Sequence, residues 1–414
     1  MWQTVIAIFL SLCKFISAES FETFAISQDS SFINITQINI ELGNDKYNTD
    51  VNLNTLQMIR KAGYPAEAHI ALTEDGYLLT LHRIPGSKNS PPVLLQHGLL
   101  CSSADWVILG RGKALAYILA DQGYDIWLGN FRGNTYSRAH ISLSPSSSNA
   151  QFWDFSFHEM GIYDLPAMIT YITNITAQPL HTYIGHSMGT TAFYVMAVER
   201  PESAAMIGRM ISLAPIAFVE HMKSPLHYLA RFANYLGIIA RFVGANEFLP
   251  QSTILRILAG YGCDADLFKE KICSNVLFLI CGFDKEQFNY TLLPTILSHD
   301  PAGTSTKTMI HFLQEIRSGK FRQYDYGRKK NMQIYKAPQP PDYNLSNITT
   351  PIALFYADND WLNNVIDVKR LYNSLTNVLD TYRVSFPKFN HIDFLWAKDA
   401  PTLVYDRLLQ IMKR

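Results

Sequence analysis

The chain predicts an α/β fold with a mostly parallel central sheet, helices on both faces and an inserted, mainly helical cap. Three observations carry this. From about residue 77 to 215, short apolar runs alternate with segments of helical spacing. That alternation stops at Pro215 and resumes at Ile352. Between them, residues 217–344 hold helix-like stretches instead of strand–helix pairs.

The elements read in order as follows. Glu74-Asp75-Gly76 signals a turn, and Tyr77 to Ile84 reads as a strand. Val93 to Gln96 is a short buried strand behind a Pro pair, Lys113 to Ala120 has helical spacing, and Asp125 to Leu128 is a strand before a loop at Gly129 to Gly133. Asp164 to Ile172 suits a helix. Tyr183-Ile184 leads into Gly185, Thr190 to Val198 is a helix, and Met210 to Leu213 is a strand. In the insertion, Leu226 to Ile239 and Ile254 to Ala259 look helical. Ile352 to Ala357 is a strand, Val365 to Leu375 a helix, Tyr382 to Phe386 a strand, and Leu403 to Met412 the last helix.

Composition bounds the function. Lys plus Arg and Asp plus Glu number 35 each, so no field of one sign is available to hold nucleic acid. The apolar start, Val5 to Leu12 and on to Ser17-Ala18, reads as a secretory signal over residues 1–18. No later apolar run is long enough for a transmembrane helix. Residues 19–51 are polar and read as an N-terminal extension. Sequons at Asn34, Asn174, Asn289, Asn344 and Asn347 agree with export as glycosylation candidates. Cys101, Cys263, Cys273 and Cys281 lie beyond the signal, without a C-x-x-C pair. Cys263 and Cys273 are close enough for a local bridge. No cofactor and no metal is expected.

Gly185-His186-Ser187-Met188-Gly189 matches G-x-S-x-G. A nucleophilic serine needs a sharp strand-to-helix turn, and glycines two residues to either side remove side chains that would clash there. The following helix aims its N-terminal N–H groups at a developing oxyanion. An acid should follow a late strand, and Asp358 and Asp360 both qualify in Ala357-Asp358-Asn359-Asp360. A base should follow the last strand, where His391 stands in Phe386-Pro387-Lys388-Phe389-Asn390-His391. Gln96-His97-Gly98-Leu99-Leu100 follows a strand where an oxyanion loop belongs, so the N–H groups of Leu99 and Met188 are candidate donors. His97 reads as a buried, hydrogen-bonded loop histidine.

These residues, with Ala62-Gly63-Tyr64-Pro65, Asp125-Ile126-Trp127-Leu128-Gly129-Asn130, Trp153-Asp154-Phe155-Ser156, Ile280-Cys281-Gly282-Phe283 and Asn390-His391-Ile392-Asp393-Phe394, resemble the acid lipases. That family comprises gastric lipase, lysosomal acid lipase and their insect relatives, within the α/β-hydrolase superfamily. The resemblance spans nearly all of the chain after about residue 52. It implies Ser187 as nucleophile, Asp360 as acid (through the Asn359-Asp360 pair), His391 as base, and Leu99 and Met188 as oxyanion donors. It also implies core segments 52–216 and 345–414 around a cap with a lid at 217–344, a Cys263–Cys273 disulfide, and a free Cys281 thiol. The chain departs from the family at Met188, where Gln is usual, and at Leu362-Asn363-Asn364 after the acid. The spacing from Cys263 to Cys273 is about one residue longer than in mammalian members. The implied activity is hydrolysis of triacylglycerol or sterol esters at a lipid–water interface by a secreted or lysosomal enzyme. Alternatives are a short-chain carboxylesterase and a catalytically silent binding protein of the same fold.

Overall fold

Side chains along a strand alternate between its two faces, and this chain uses both. In the computed structural model, which describes residues 49–146, 148–251 and 276–414, Val93, Leu95, Ile126, Leu128, Ile184, Ile211, Leu213, Ala353 and Phe355 enter one apolar cluster. Their strand neighbours Leu94, Trp127, Tyr183, Met210, Ile352 and Leu354 enter another, on the opposite face. A strand buried on both faces reads as a continuous apolar run, which is why these were legible.

The strands are β1 (Glu67–Leu72), β2 (Tyr77–Ile84), β3 (Pro92–Gln96), β4 (Asp125–Leu128), β5 (Ala139–His140), β6 (Thr182–His186), β7 (Met210–Leu213), β8 (Glu247–Phe248), β9 (Thr304–Ser305), β10 (Ile352–Tyr356) and β11 (Val378–Arg383). The main sheet runs β1-β2-β4-β3-β6-β7-β10-β11, with β5 beside β2. Pairing is parallel from β4 across to β11 and antiparallel at β1, β2 and β5. Helices Thr55–Lys61 and Leu115–Asp121 cover the first face through Met58, Ile59, Leu115 and Leu119. Leu165–Thr176 and Met188–Glu199 cover the second through Met168, Ile169, Ala192 and Phe193. The Thr55 helix starts on a capping box: Gln57 N–H donates to Asn54 Oδ1 at 2.9 Å, and Asn54 N–H to Gln57 Oε1 at 2.8 Å.

Among the described residues, 217–344 add no strand to the main sheet; β8 and β9 form a separate two-stranded ribbon. Leu226–Phe242 is helical throughout, tightened to a 3₁₀ turn at Ala230–Phe232. Ala230 and Ala233 pack with Ile216, Val219, Leu313 and Ile316 in a third apolar cluster. Phe278, Cys281, Phe288, Leu293 and Ile296 pack into the first cluster of the core.

Two edge strands differ from expectation. The last strand runs Val378–Arg383 instead of Tyr382 to Phe386, and β1 was not anticipated. Both lie at sheet edges. β11 alternates half-buried and exposed positions with Asp380 and Arg383 among them, and β1 exposes Ile70 and Leu72 to solvent. Neither offers the apolar run that marks a buried strand. The main described unit is Asp50–Arg414. The expected signal 1–18, Asn34, nearly all of the extension, the Ile254 to Ala259 helix and the Cys263–Cys273 pair lie outside the described residues. No described helix is long and apolar enough to cross a membrane.

Candidate active site

Ser187 follows β6 directly and precedes the helix Met188–Glu199. Its φ of 52° and ψ of −118° fall in a region that non-glycine residues seldom adopt. The flanking glycines make that turn possible. A Cβ on Gly189 would lie 2.4 Å from the Gln96 carbonyl oxygen, and one on Gly185 would lie 2.9 Å from the Gly189 backbone. The elbow is tied down on both sides. Ser187 N–H donates to Leu213 O at 3.1 Å, and Thr190 Oγ1 donates to Ser187 O at 2.6 Å while accepting from Ile216 N at 2.8 Å.

The loop after β3 lies against this turn: a Cβ on Gly98 would meet Ser187 Cβ at 3.2 Å. Among the described residues neither the Leu99 nor the Met188 N–H donates a hydrogen bond. The helix begins at Met188, two residues before the predicted start, so its first N–H is an unused donor. His97 braces the loop. Its Nδ1 donates to Gly98 O at 2.8 Å, and its Nε2 accepts from Phe131 N and Asn134 Nδ2, both at 3.1 Å. Burial lowers its pKa to about 4, so the ring is neutral, as this bonding requires.

Asp360 follows β10 and His391 follows β11. His391 Nδ1 lies 2.8 Å from Asp360 Oδ2, and both side chains are buried. A carboxylate only accepts, so Nδ1 carries a proton, and the tautomer this selects for a neutral ring has its lone pair on Nε2. Asp360 Oδ1 accepts from Leu362 N at 2.9 Å and Asn363 N at 2.8 Å. Both donors are backbone N–H groups, so this contact does not depend on the side chains at 362 and 363. Asp358, the other candidate, ion-pairs with Arg383 at the partly exposed end of the sheet. No hydrogen bond links Ser187 Oγ to His391 among the described residues. Serine–imidazole contacts of this kind commonly close only with substrate bound. The Asp360–His391 pair is formed, and His186, the residue before Ser187, lies against His391 with ring centroids 4.9 Å apart.

Several site residues were not anticipated. His186 Nε2 donates to the His391 carbonyl at 2.9 Å, and burial with the nearby His391 ring lowers its pKa to about 3. The Cys281 carbonyl accepts from Trp361 N at 3.2 Å and His391 N at 3.4 Å, and the Gly282 carbonyl accepts from Asn390 Nδ2 at 2.9 Å. The insertion therefore supplies backbone that joins the acid loop to the base loop. A histidine inside the pentapeptide and a distant carbonyl leave no sequence pattern to find. Cys281 is buried and free, as is the partly buried Cys101. Cys101, Asp105 and Asp300 place donor atoms within 4.8 Å of one another, the one group of described residues that could hold a metal ion. Burial raises Asp105 to about 6 and Asp300 well above the usual carboxylate range, and the neighbouring Asp105 charge pushes Asp300 the same way.

Known proteins resemble this chain over most of its length. A model of the α/β hydrolase fold matches residues 91–398, and one of a partial α/β-hydrolase lipase region matches 55–110. The chain is 40% identical over 375 residues to the lysosomal acid lipase/cholesteryl ester hydrolase of Macaca fascicularis, covering 89% of this chain and 92% of that protein. The chain belongs to the acid lipase family. This acid lipase is also 44% identical over 366 residues to Lipase 3 of Drosophila melanogaster, with 86% and 92% covered. It is 42% identical over 371 residues to the gastric triacylglycerol lipase of Homo sapiens, with 88% and 92% covered. An acetylester hydrolase from Corynebacterium glutamicum shares the fold at a TM-score of 0.51 and 15% identity, covering 87% of this chain and all of that one. The chain is a carboxylic ester hydrolase, a lipase of the α/β-hydrolase fold.

Proposed function

We propose that this lipase hydrolyses triacylglycerol and sterol esters through an acyl-enzyme on Ser187, in the secretory pathway, outside the cell or in lysosomes. The observation that carries the mechanism is the buried 2.8 Å contact between His391 Nδ1 and Asp360 Oδ2. It leaves Nε2 free to act as a base. Ser187 Oγ attacks the ester carbonyl carbon as Nε2 takes its proton, and the carbonyl electrons move onto oxygen. The Leu99 and Met188 N–H groups hold that oxyanion. Collapse expels the alcohol, which takes the proton from His391 Nε2. Water then attacks the acyl carbon as the same nitrogen takes its proton, and collapse breaks the acyl–Oγ bond, releasing the fatty acid while Ser187 Oγ takes that proton back from Nε2. Asp360 keeps the tautomer and stabilises the imidazolium without taking the proton. The substrate class follows from the names of the relatives, a cholesteryl ester hydrolase and triacylglycerol lipases.

Residues 217–344 are read as the cap, with a lid that opens at lipid. Tyr228, Phe232, Tyr235, Ile239 and Val243 are large apolar side chains more than two-fifths exposed along one helical stretch. A water-insoluble substrate needs such a surface, and a soluble protein rarely leaves one uncovered. Rates on triolein, cholesteryl oleate and a dissolved short-chain ester, with Ser187→Ala as control, test the whole reading. Activity confined to the short ester would make it a carboxylesterase.

A further inference from the structure

Cys101 precedes the 3₁₀ turn Ser103–Trp106, Asp105 stands within it, and Asp300 follows the helix Leu293–His299 of the insertion. The fold brings these two distant segments together. Ala302 N–H donates to Leu100 O at 2.6 Å, and Thr135 N–H donates to Ala302 O at 2.9 Å, so the stretch after Asp300 is seated on the loop that carries Leu99. The Cys101 Sγ, a carboxylate oxygen of Asp105 and one of Asp300 all lie within 4.8 Å of one another.

A second observation is independent of that clustering. Asp105 is only 2% exposed, and neither of its carboxylate oxygens meets a hydrogen-bond donor. Both carboxylate oxygens of Asp300 are also sealed from solvent and unpartnered. Other buried acids of the core are answered by a cation: Asp164 pairs with Arg132, and Asp125 with Arg83. Among the described residues Asp105 and Asp300 have no such partner. A buried carboxylate left unanswered is costly. A cation seated where the three donor atoms converge removes that cost.

We propose that Cys101, Asp105 and Asp300 bind one zinc ion, which clamps the insertion onto the oxyanion loop. The donor set selects the metal. Calcium and magnesium take oxygen ligands and are disfavoured by a thiolate, whereas copper(I) takes sulfur and is disfavoured by two carboxylates. Zinc accepts both kinds, at about 2.3 Å to sulfur and about 2.0–2.2 Å to oxygen, with water completing a tetrahedron. On binding, the Cys101 thiol releases its proton to solvent and its sulfur gives a lone pair to the metal, with no change of oxidation state. Until then burial and the facing carboxyls keep that thiol protonated. Leu99 lies two residues before Cys101, so the clamp bears on the loop that carries one oxyanion donor. The zinc site itself does not depend on the reading of Ser187, Asp360 and His391 as a triad.

The test takes the full-length lipase, strips it with a chelator, dialyses it and titrates it with zinc chloride alone. Calorimetry should find one zinc per chain, and Tm should rise by several degrees as zinc is added. Cys101→Ser, Asp105→Asn and Asp300→Asn should each weaken binding by about 100-fold or more and abolish the Tm response, since losing even a group that merely supports a ligand costs about 10–100-fold. Cys281→Ala and His391→Ala should leave zinc affinity unchanged. Zinc lost in His391→Ala but kept in Cys101→Ser would place the ion in the active site and overturn the proposal. A wild-type lipase that takes up no zinc and shows no Tm response overturns it equally. Should the ligand variants fail to fold, cobalt(II) chloride added to wild type and to Cys281→Ala decides. Ligation by Cys101 gives both proteins a sulfur-to-metal charge-transfer band in the near ultraviolet, and its absence from both, or its loss in Cys281→Ala, overturns the proposal.

Discussion

Gly189 sits against Gln96 so closely that a single added methyl group would lie 2.4 Å from the Gln96 carbonyl oxygen. The contact joins the helix after the nucleophile to the end of β3, where the oxyanion loop starts. Gly189→Ala should therefore force the two backbones apart. We expect a loss of about 1–3 kcal/mol in urea unfolding. Activity should fall further than the fraction unfolded accounts for, because Leu99 and Met188 would separate. Wild-type stability in Gly189→Ala would refute the close packing.

Ser187→Ala should leave a folded protein whose hydrolysis falls by on the order of 10⁶. Because serine and imidazole act together, the Ser187→Ala, His391→Ala double variant should be little slower than either single one. A Ser187→Ala protein retaining a tenth of the wild-type rate, as judged by active-site titration and initial rates, would remove the nucleophile assignment.

Asp360→Asn and Asp358→Asn separate the two candidate acids. Asp360→Asn should cost on the order of 10⁴ in kcat by presenting a donor to His391 Nδ1 and favouring the wrong tautomer. Asp358→Asn only breaks a surface pair with Arg383 and should change kcat less than about twofold. Steady-state kinetics on one soluble ester decides between them.

Thiol chemistry checks the cysteine reading. In the unfolded, unreduced protein, alkylation should label Cys101 and Cys281 and spare Cys263 and Cys273. In the native protein both free thiols should resist the reagent, since burial raises their pKa and hides the thiolate. Breaking a Cys263–Cys273 bridge should cost roughly 2–3 kcal/mol. Peptide mapping that links Cys273 to Cys281 would contradict it.

Replacing Tyr235 and Ile239 by Ser tests the cap surface. Both are more than half exposed, at 67% and 57%. Hydrolysis of emulsified triolein should drop several-fold, and hydrolysis of a dissolved short ester should not change. Equal losses on both substrates would mean these side chains support the fold and not lipid contact.

What the sequence discloses depends on how each element is buried. β3, β4, β6, β7 and β10 are covered on both faces, so their apolar runs stand out and their bounds were read almost to the residue. β1 and β11 lie at edges and carry polar or outward apolar residues, so one escaped notice and the other was placed too late. The Ser187 pentapeptide is legible because steric need dictates its glycines. Pattern alone left Asp358 and Asp360 equivalent; they differ in what surrounds them, Arg383 for one and His391 with two backbone N–H groups for the other. The supports under the site, His186 on the His391 carbonyl and Asn390 on the Gly282 carbonyl, join residues far apart in the chain. No local spacing encodes such a meeting.

The Cys281 carbonyl receives one N–H from the loop of Asp360 and another from the loop of His391. This has a consequence for the order of folding. Neither loop can take its final shape until a segment from much earlier in the chain has docked between them. Such long-range closures form slowly, because chain entropy is lost before the contacts repay it. During refolding, helical content and burial of the tryptophans should return first, and esterase activity should follow in a later phase. A nascent chain would then carry Ser187 on its elbow well before it could use it.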